Sequence, residues 1–426
     1  MEKFIRNFSK KGPIIHLIVY SSIVALCAIL SIHTAQGIKI RGKMSTPYPN
    51  YSPGLEGVIA GITTISEIDS DHSALTYRGI NVHELAGQSS YEEIVHLLLF
   101  GSLPTEKELL DLKSLLAKET HLPEAVYEML HSLPKTVDPM DQIRTAYSML
   151  APYDPDYTNN DHEANLRKAV RIIAKAGPLA ANAYRIKQGK KVILPNPSLS
   201  LAANFLYILN DRQVPDPYTE KIFDSTLTLY AEHSFNASTF ACRVTVSTLS
   251  DIYSGIVSGI GTLRGPLHGG ANEEAMKMLL EIGSPDNAET WIRNAIKEKK
   301  LIMGFGHREY KKGDSRAFYL NNVAKELGNK LGNTQWGDIA TILEKVMLEE
   351  KGLYPNVDFH ASYTYYLLGI PIELYTPIFV MARVAGWSTH AIEQLDHNRL
   401  IRPKCIYEGP RSISYVPLNT RQPKAS

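Results

Sequence analysis

The sequence predicts a predominantly α-helical protein with a small β-hairpin ahead of the helices. Three observations predict it. Apolar residues recur at helical spacing over most of the chain beyond residue 80. No long alternating strand appears there. The strand–helix alternation of a doubly wound parallel sheet is missing.

Taken in order, Gly54 to Ile68 is rich in Ile, Val and Leu and is followed by Leu75-Thr76-Tyr77-Arg78-Gly79, short β-branched runs with Gly and Asp breaks that read as a hairpin. Thr105-Glu106-Lys107-Glu108 is a capping box, and Leu109, Leu112 and Leu116 follow it at helical spacing. Leu133-Pro134 and Pro152-Tyr153-Asp154-Pro155 break helices. Residues 161–188, 217–231, 271–282, 287–299, 338–350 and 376–394 read as further helices. No internal repeat and no low-complexity tract interrupts them.

Composition excludes several function classes. The 426 residues, 44% hydrophobic and 21% charged, suit a folded chain of two to three domains rather than a disordered one. A net charge of +1 argues against a general nucleic-acid binder. Three cysteines, Cys27, Cys242 and Cys405, form no Cys-x-x-Cys pair, which argues against disulfide scaffolds and thiolate zinc sites and fits a reducing compartment.

The first 43 residues differ from the rest. They hold seven Lys or Arg against one acid, Glu2, and residues 12–38 contain no Asp, Glu, Lys or Arg. That apolar stretch is long enough for a membrane anchor, and its basic start also fits a targeting segment. The alternative is a start at Met44 (Met44-Ser45-Thr46-Pro47), which fits a cytoplasmic protein.

Familiar nucleotide and hydrolase signatures are missing. There is no Gly-x-x-x-x-Gly-Lys-Ser/Thr loop, no His-Glu-x-x-His and no Gly-x-Ser-x-Gly. Gly304-Phe305-Gly306 begins like a dinucleotide loop, but Glu309 stands where the third Gly is needed. Three histidines stand out instead: His233 in Ala231-Glu232-His233-Ser234-Phe235-Asn236, His268 in Gly265-Pro266-Leu267-His268-Gly269-Gly270, and His307 in Gly304-Phe305-Gly306-His307-Arg308. Paired glycines let backbone approach a ligand, and a helix N-terminus beside His268 would hold it neutral. Their wide separations do not suit a zinc triad. Asp358, between Val357 and Phe359, is either a general base in an apolar setting or a helix N-cap. Arg316 follows Lys311-Lys312-Gly313-Asp314. Arg383 lies in an apolar run from Pro377 to Trp387, where a guanidinium needs an anion, either a substrate carboxylate or a buried Asp or Glu. Arg402 precedes Pro403 and in isolation reads as surface.

Together and in this order, Glu232-His233 to Thr239, Gly265 to Asn272, Gly304 to Arg316, Val357-Asp358-Phe359, Thr376-Pro377-Ile378-Phe379, Gly386-Trp387 and Asn398 to Pro403 closely resemble citrate synthases of the bacterial and archaeal type. The resemblance covers residues 54–417. It implies an all-α homodimer, with a large helical domain (44–269 and 371–426) and a small closing domain (270–370). The first 43 residues form an extension outside it. It implies condensation of acetyl-CoA with oxaloacetate in the tricarboxylic acid cycle, with no metal and no cofactor beyond the substrates. His268, His307 and Asp358 would be catalytic. His233, Arg316, Arg383 and Arg402 would bind oxaloacetate, Arg402 from the neighbouring subunit. Met303, Gly304, Phe305, Gly306, Lys311 and Lys312 would face CoA.

Glu309, Ser315 and His360 depart from residues common in the family (Val, Pro and Tyr). They leave 2-methylcitrate synthase, acting on propionyl-CoA, as the nearest alternative. His307-Arg308 leans toward citrate synthase, since methylcitrate enzymes often carry Pro after this His. A silent paralogue or a membrane-tethered form would need a lost catalytic group or a functional 12–38 anchor.

Overall fold

Short polar side chains set where the helices begin. The computed structural model describes residues 48 and 51–421, apart from 71 and 311. The expected anchor at 12–38 and the candidate Lys311 therefore lie outside the described residues. The chain divides into two units, residues 1–62 and residues 63–426. The described part of the first holds a 3-10 turn at Pro53–Leu55 and no strand.

The second unit opens with a three-stranded antiparallel sheet, β1 (Ser66–Asp69), β2 (Ala74–Tyr77) and β3 (Ile80–Asn81). Ser66 pairs with Tyr77, Asp69 with Ala74, and Tyr77 with Ile80. The hairpin read over Gly54–Ile68 is thus corrected. Only its last three residues are strand, because a ladder needs a partner: Ile65 accepts one bond from the Arg78 amide at 2.8 Å, and residues 54–64 pair with no strand among the described residues.

Sixteen α-helices follow among the described residues. They are α1 (Val82–Gln88), α2 (Tyr91–Phe100), α3 (Glu106–Glu119), α4 (Glu124–Ser132), α5 (Pro139–Leu150), α6 (His162–Lys187), α7 (Leu201–Leu209) and α8 (Pro217–Tyr230), then α9 (Ala237–Val246), α10 (Ile252–Leu263), α11 (Ala271–Ile282), α12 (Pro285–Lys297), α13 (Ser315–Leu331), α14 (Gln335–Lys351), α15 (Val357–Leu367) and α16 (Tyr375–Asp396). The expected capping box starts α3: the Thr105 hydroxyl accepts from the Glu108 amide, and the Glu108 carboxylate accepts from the Thr105 amide at 2.8 Å. The six expected helices appear as α6, α8, α11, α12, α14 and α16, with ends moved by no more than three residues.

Helices α11 to α15 pack on one another, with lighter contacts to α1, α8 and α16. Among the others, α16 is central and touches α2, α6, α8, α9 and α10. Its side chains are buried without a break from Tyr375 to Ile392. Such all-round burial suits a helix at the middle of a layered bundle.

One close approach lets α16 reach the site. The Gly386 amide donates to the Ala231 carbonyl at 3.2 Å. A Cβ at Gly386 would fall 2.3 Å from Glu232 Oε2 and 2.5 Å from that carbonyl. Gly386→Ala is expected to destabilise the fold by about 1–3 kcal/mol, the scale of core overpacking. A urea midpoint equal to wild type would contradict this contact.

Candidate active site

The local fold explains why the candidate side chains sit where they do. His233 lies in the turn between α8 and α9 and is 6% exposed. His268 lies between α10 and α11, and His307 in the loop before α13. Arg316 and Asp358 each occupy the second position of a helix, α13 and α15, and Arg383 sits mid-way along α16.

Asp314 connects two of these positions. It caps α13 through the Arg316 amide (3.1 Å) and receives the Arg316 guanidinium at 3.0 Å and 2.8 Å through Nε and Nη2. Its Oδ2 also accepts from the Val357 amide at 3.1 Å. One buried carboxylate thereby ties together the starts of the helices that carry Arg316 and Asp358. Arg316 holds Asp314 below the usual carboxylate range against the opposing push of burial.

Asp358 is not a cap. Asn356 caps α15 by accepting from the Asp358 amide at 3.1 Å. The Asp358 carboxylate is instead buried, and Oδ1 accepts from the Tyr230 hydroxyl at 2.6 Å. Burial pushes its pKa up to about 6, while the Tyr230 bond and Arg316 oppose that rise.

All three histidines are driven toward the neutral form. Burial pushes His268 and His307 down to about 4, with Arg383 adding to the first and Arg316 to the second. His233 is pushed well below its ordinary value by burial, with Arg316, His307 and Arg383 adding to it. Their hydrogen bonds fix one tautomer. His268 Nε2 meets Ser238 twice, the hydroxyl at 2.8 Å and the amide, at the first turn of α9, at 3.3 Å. The Glu309 and Tyr310 amides donate to His307 Nδ1 at 3.1 Å and 3.3 Å, which leaves the proton on Nε2. The helix terminus expected to keep His268 neutral was that of α11; the amide that reaches the ring belongs to α9. His233 Nε2 is 3.3 Å from the Tyr310 hydroxyl, and its ring centre is 5.2 Å from that of His307.

Arg383 is 1% exposed, its Nε donates to the Tyr230 carbonyl at 2.7 Å, and its guanidinium lies 4.8 Å from the Phe379 ring centre. No Asp or Glu among the described residues forms an ion pair with it. The buried-pair reading of Arg383 is therefore corrected; that arrangement belongs to Arg316, with Asp314.

The structure thus brings together His233, His268, His307, Arg316, Asp358 and Arg383. It leaves Arg402 apart in this chain, exposed, with its Nη1 donating to the Pro403 carbonyl at 3.3 Å. The 303–306 segment pairs with residues 354–356: the Gly306 amide donates to the Tyr354 carbonyl, and the Asn356 amide to the Gly304 carbonyl, each at 2.9 Å. Gly304 adopts φ +82°, and a Cβ there would lie 2.7 Å from the Phe359 Cβ. Met303, Phe305 and Gly306 are half-buried, Gly304 is buried and Lys312 is exposed. Of the departures, Glu309 serves His307 through its backbone. The buried His360 ring engages the Tyr363 hydroxyl at 3.0 Å and lies 3.5 Å from Glu344. Ser315 opens α13.

Sequence reasoning missed Tyr230, Ser238, Tyr310 and the second role of Asp314. Asp314 and Asn356 each stand two residues ahead of a candidate at a helix start, a readable capping signal. Tyr230 meets Asp358 across 128 positions, and no local pattern announces that contact. Two clefts of about 230 Å³ lie elsewhere and include none of the cluster. No set of three or more His, Cys, Asp or Glu among the described residues is placed to hold a metal. No helix among them is long and apolar enough to cross a membrane.

A family model described as the citrate synthase C-terminal domain matches residues 54–404. Citrate synthase 2 of Bacillus subtilis (strain 168) is 46% identical over 369 residues, 86% of this chain and 98% of the relative. The citrate/2-methylcitrate synthase of the same organism is 44% identical over 363 residues, 85% of this chain and 97% of the relative. The solved structure of citrate synthase from the archaeon Thermoplasma acidophilum, a ternary complex with carboxymethyl coenzyme A and oxaloacetate, superposes with a TM-score of 0.83 at 36% identity, covering 87% of this chain and 99% of that one. The chain belongs to the citrate synthase family and is an acyltransferase.

Proposed function

We propose that this enzyme condenses acetyl-CoA with oxaloacetate and hydrolyses the resulting citryl-CoA to citrate and CoA. The observation that carries the reading is the gathering of three neutral imidazoles and two buried guanidiniums around one raised-pKa carboxylate. A small dianion with a ketone matches those groups, and the Thermoplasma relative was solved with oxaloacetate and a CoA analogue.

The roles follow from the proton positions. Asp358 takes a proton from the methyl carbon of the thioester: the C–H bond breaks and its electron pair moves onto the thioester oxygen. A ring N–H of His268 donates to that oxygen as the enol forms. The enol's electron pair forms the new carbon–carbon bond at the oxaloacetate ketone carbon, the C=O π pair moves onto the ketone oxygen, and His307 Nε2–H stabilises the developing alkoxide by donating a hydrogen bond to it. A neutral imidazole on each side suits both steps, since each needs a donor that is also in its usual charge state at neutral pH. His233, Arg316 and Arg383 bind the oxaloacetate oxygens, and Arg402 reaches them from a second copy of the chain. Residues 303–306 with Lys312 face CoA. A homodimer also suits residues 398–421, where Ile413, Tyr415 and Leu418 are each more than 70% exposed.

The same framework serves 2-methylcitrate synthase, and the 44%-identical relative carries both names. A thiol-release assay with oxaloacetate and either acetyl-CoA or propionyl-CoA decides between them. The faster turnover is expected with acetyl-CoA, and Asp358→Asn is expected to lose about 100-fold or more with either, the scale of general-base catalysis. Undiminished turnover in that variant would refute the base.

Residues 270–370, helices α11 to α15 with their loops, act in this reading as the small domain that closes over oxaloacetate and keeps the enol from water. Small-angle scattering is expected to show a smaller radius of gyration with oxaloacetate bound. An unchanged radius would argue against closure.

A further inference from the structure

Tyr230, the last residue of α8, touches the site twice. Its hydroxyl donates to Asp358 Oδ1 at 2.6 Å, and its carbonyl accepts from Arg383 Nε at 2.7 Å. The side chain is 1% exposed, and its ring meets Phe379 edge to face at 4.5 Å between centres. An O–H···O contact of that length lies in the charge-assisted range. Asp358 Oδ2 has no hydrogen-bond partner among the described residues.

The other charged and titratable groups facing Asp358 come from three elements. Arg316 and its cap Asp314 approach from α13, Arg383 from α16, and Tyr365 shares α15. Both guanidiniums have other hydrogen bonds, Arg316 to Asp314 and Arg383 to the Tyr230 carbonyl. Tyr230 is the one side chain among the described residues that hydrogen-bonds the Asp358 carboxylate.

We propose that Tyr230 is a positioning residue for the base: its hydroxyl holds one oxygen of Asp358, aims the other at the acyl-CoA methyl carbon and favours the ionised carboxylate. This rests on the reading of Asp358 as the base. The sign of its pH effect follows directly. Burial raises the Asp358 pKa to about 6 and the Tyr230 bond lowers it, so removing the hydroxyl raises it further. Activity that requires the carboxylate is then lost from a higher pH downward. Phe keeps the ring against Phe379 and the carbonyl to Arg383, so a purely packing role would leave the pH profile in place.

The test measures kcat/KM for acetyl-CoA against pH at saturating oxaloacetate, for wild type, Tyr230→Phe and Asp358→Asn. The wild-type acid limb is expected near pH 6. In Tyr230→Phe it should move up by about one unit, a loss of about fivefold at pH 6 that approaches tenfold at lower pH and is largely regained at pH 8, the scale of one hydrogen bond to a charged group. The KM for oxaloacetate should stay within about twofold of wild type, since the main-chain bond to Arg383 is kept. Replacing Tyr230 by 3-fluorotyrosine, a more acidic donor of almost the same shape, should move the limb down and supplies the test if the Phe variant does not fold. A Tyr230→Phe profile that overlays the wild type, or a change confined to oxaloacetate KM, would overturn the proposal. Full turnover by Asp358→Asn would instead remove the base on which it rests.

Discussion

Arg383 is a guanidinium at the centre of the central helix, with Nε hydrogen-bonded to a carbonyl and no carboxylate among the described residues in ion-pair contact with it. Taking such a charge out of water costs several kcal/mol unless an anion compensates it. Arg316 nearby shows the compensated alternative, since Asp314 holds it on two nitrogens. Arg383 feels the buried Glu232 and Asp358 carboxylates without forming an ion pair with either, and the two guanidiniums lower the pKa of His233, adding to the effect of burial. An anionic substrate would pair with Arg383 directly, and the guanidiniums add to the neutrality that burial imposes on the imidazoles. Burial is the larger cause in each ring, but the guanidiniums act in the same direction.

The backbone does much of the remaining chemistry. Amides of Glu309 and Tyr310 occupy Nδ1 of His307, so that ring is left with its proton on Nε2, and Ser238 holds Nε2 of His268 through its hydroxyl and amide. Asp314 and Asn356 cap two helix starts and so fix Arg316 and Asp358 in relation to each other. The family membership shown by residues 54–404 is consistent with this economy, in which a few capping residues position most of the reacting groups.

Much of this was legible in the sequence, for reasons that differ by element. Amphipathic helices such as α6 and α12 announced themselves by period, and α3 by its capping box. Helix α15 did not, because Val357 to Tyr365 are all buried and its polar residues, Asp358, His360, Ser362 and Thr364, alternate with apolar ones instead of forming one polar face at helical period. The hairpin was overextended because Ile, Val and Leu near residues 58–62 look like strand, whereas Ile59 and Ile62 are about 90% exposed and lack a ladder partner. The site histidines and arginines were readable from their motifs. The partners that set their protonation were not, since Tyr230 and Asp358, or Ser238 and His268, meet only through tertiary folding. Asp358 as a cap was a fair local reading, and Asn356 took that role by lying two residues earlier.

The account stands on Arg383 being held for a substrate anion rather than for the fold. Thermal unfolding of wild type and Arg383→Met, each with and without oxaloacetate, tests this most directly. The account predicts similar melting temperatures for the two unliganded proteins and a rise on adding oxaloacetate that only the wild type shows. An Arg383→Met protein that is strongly destabilised when unliganded, or that is stabilised by oxaloacetate as much as wild type, would contradict it.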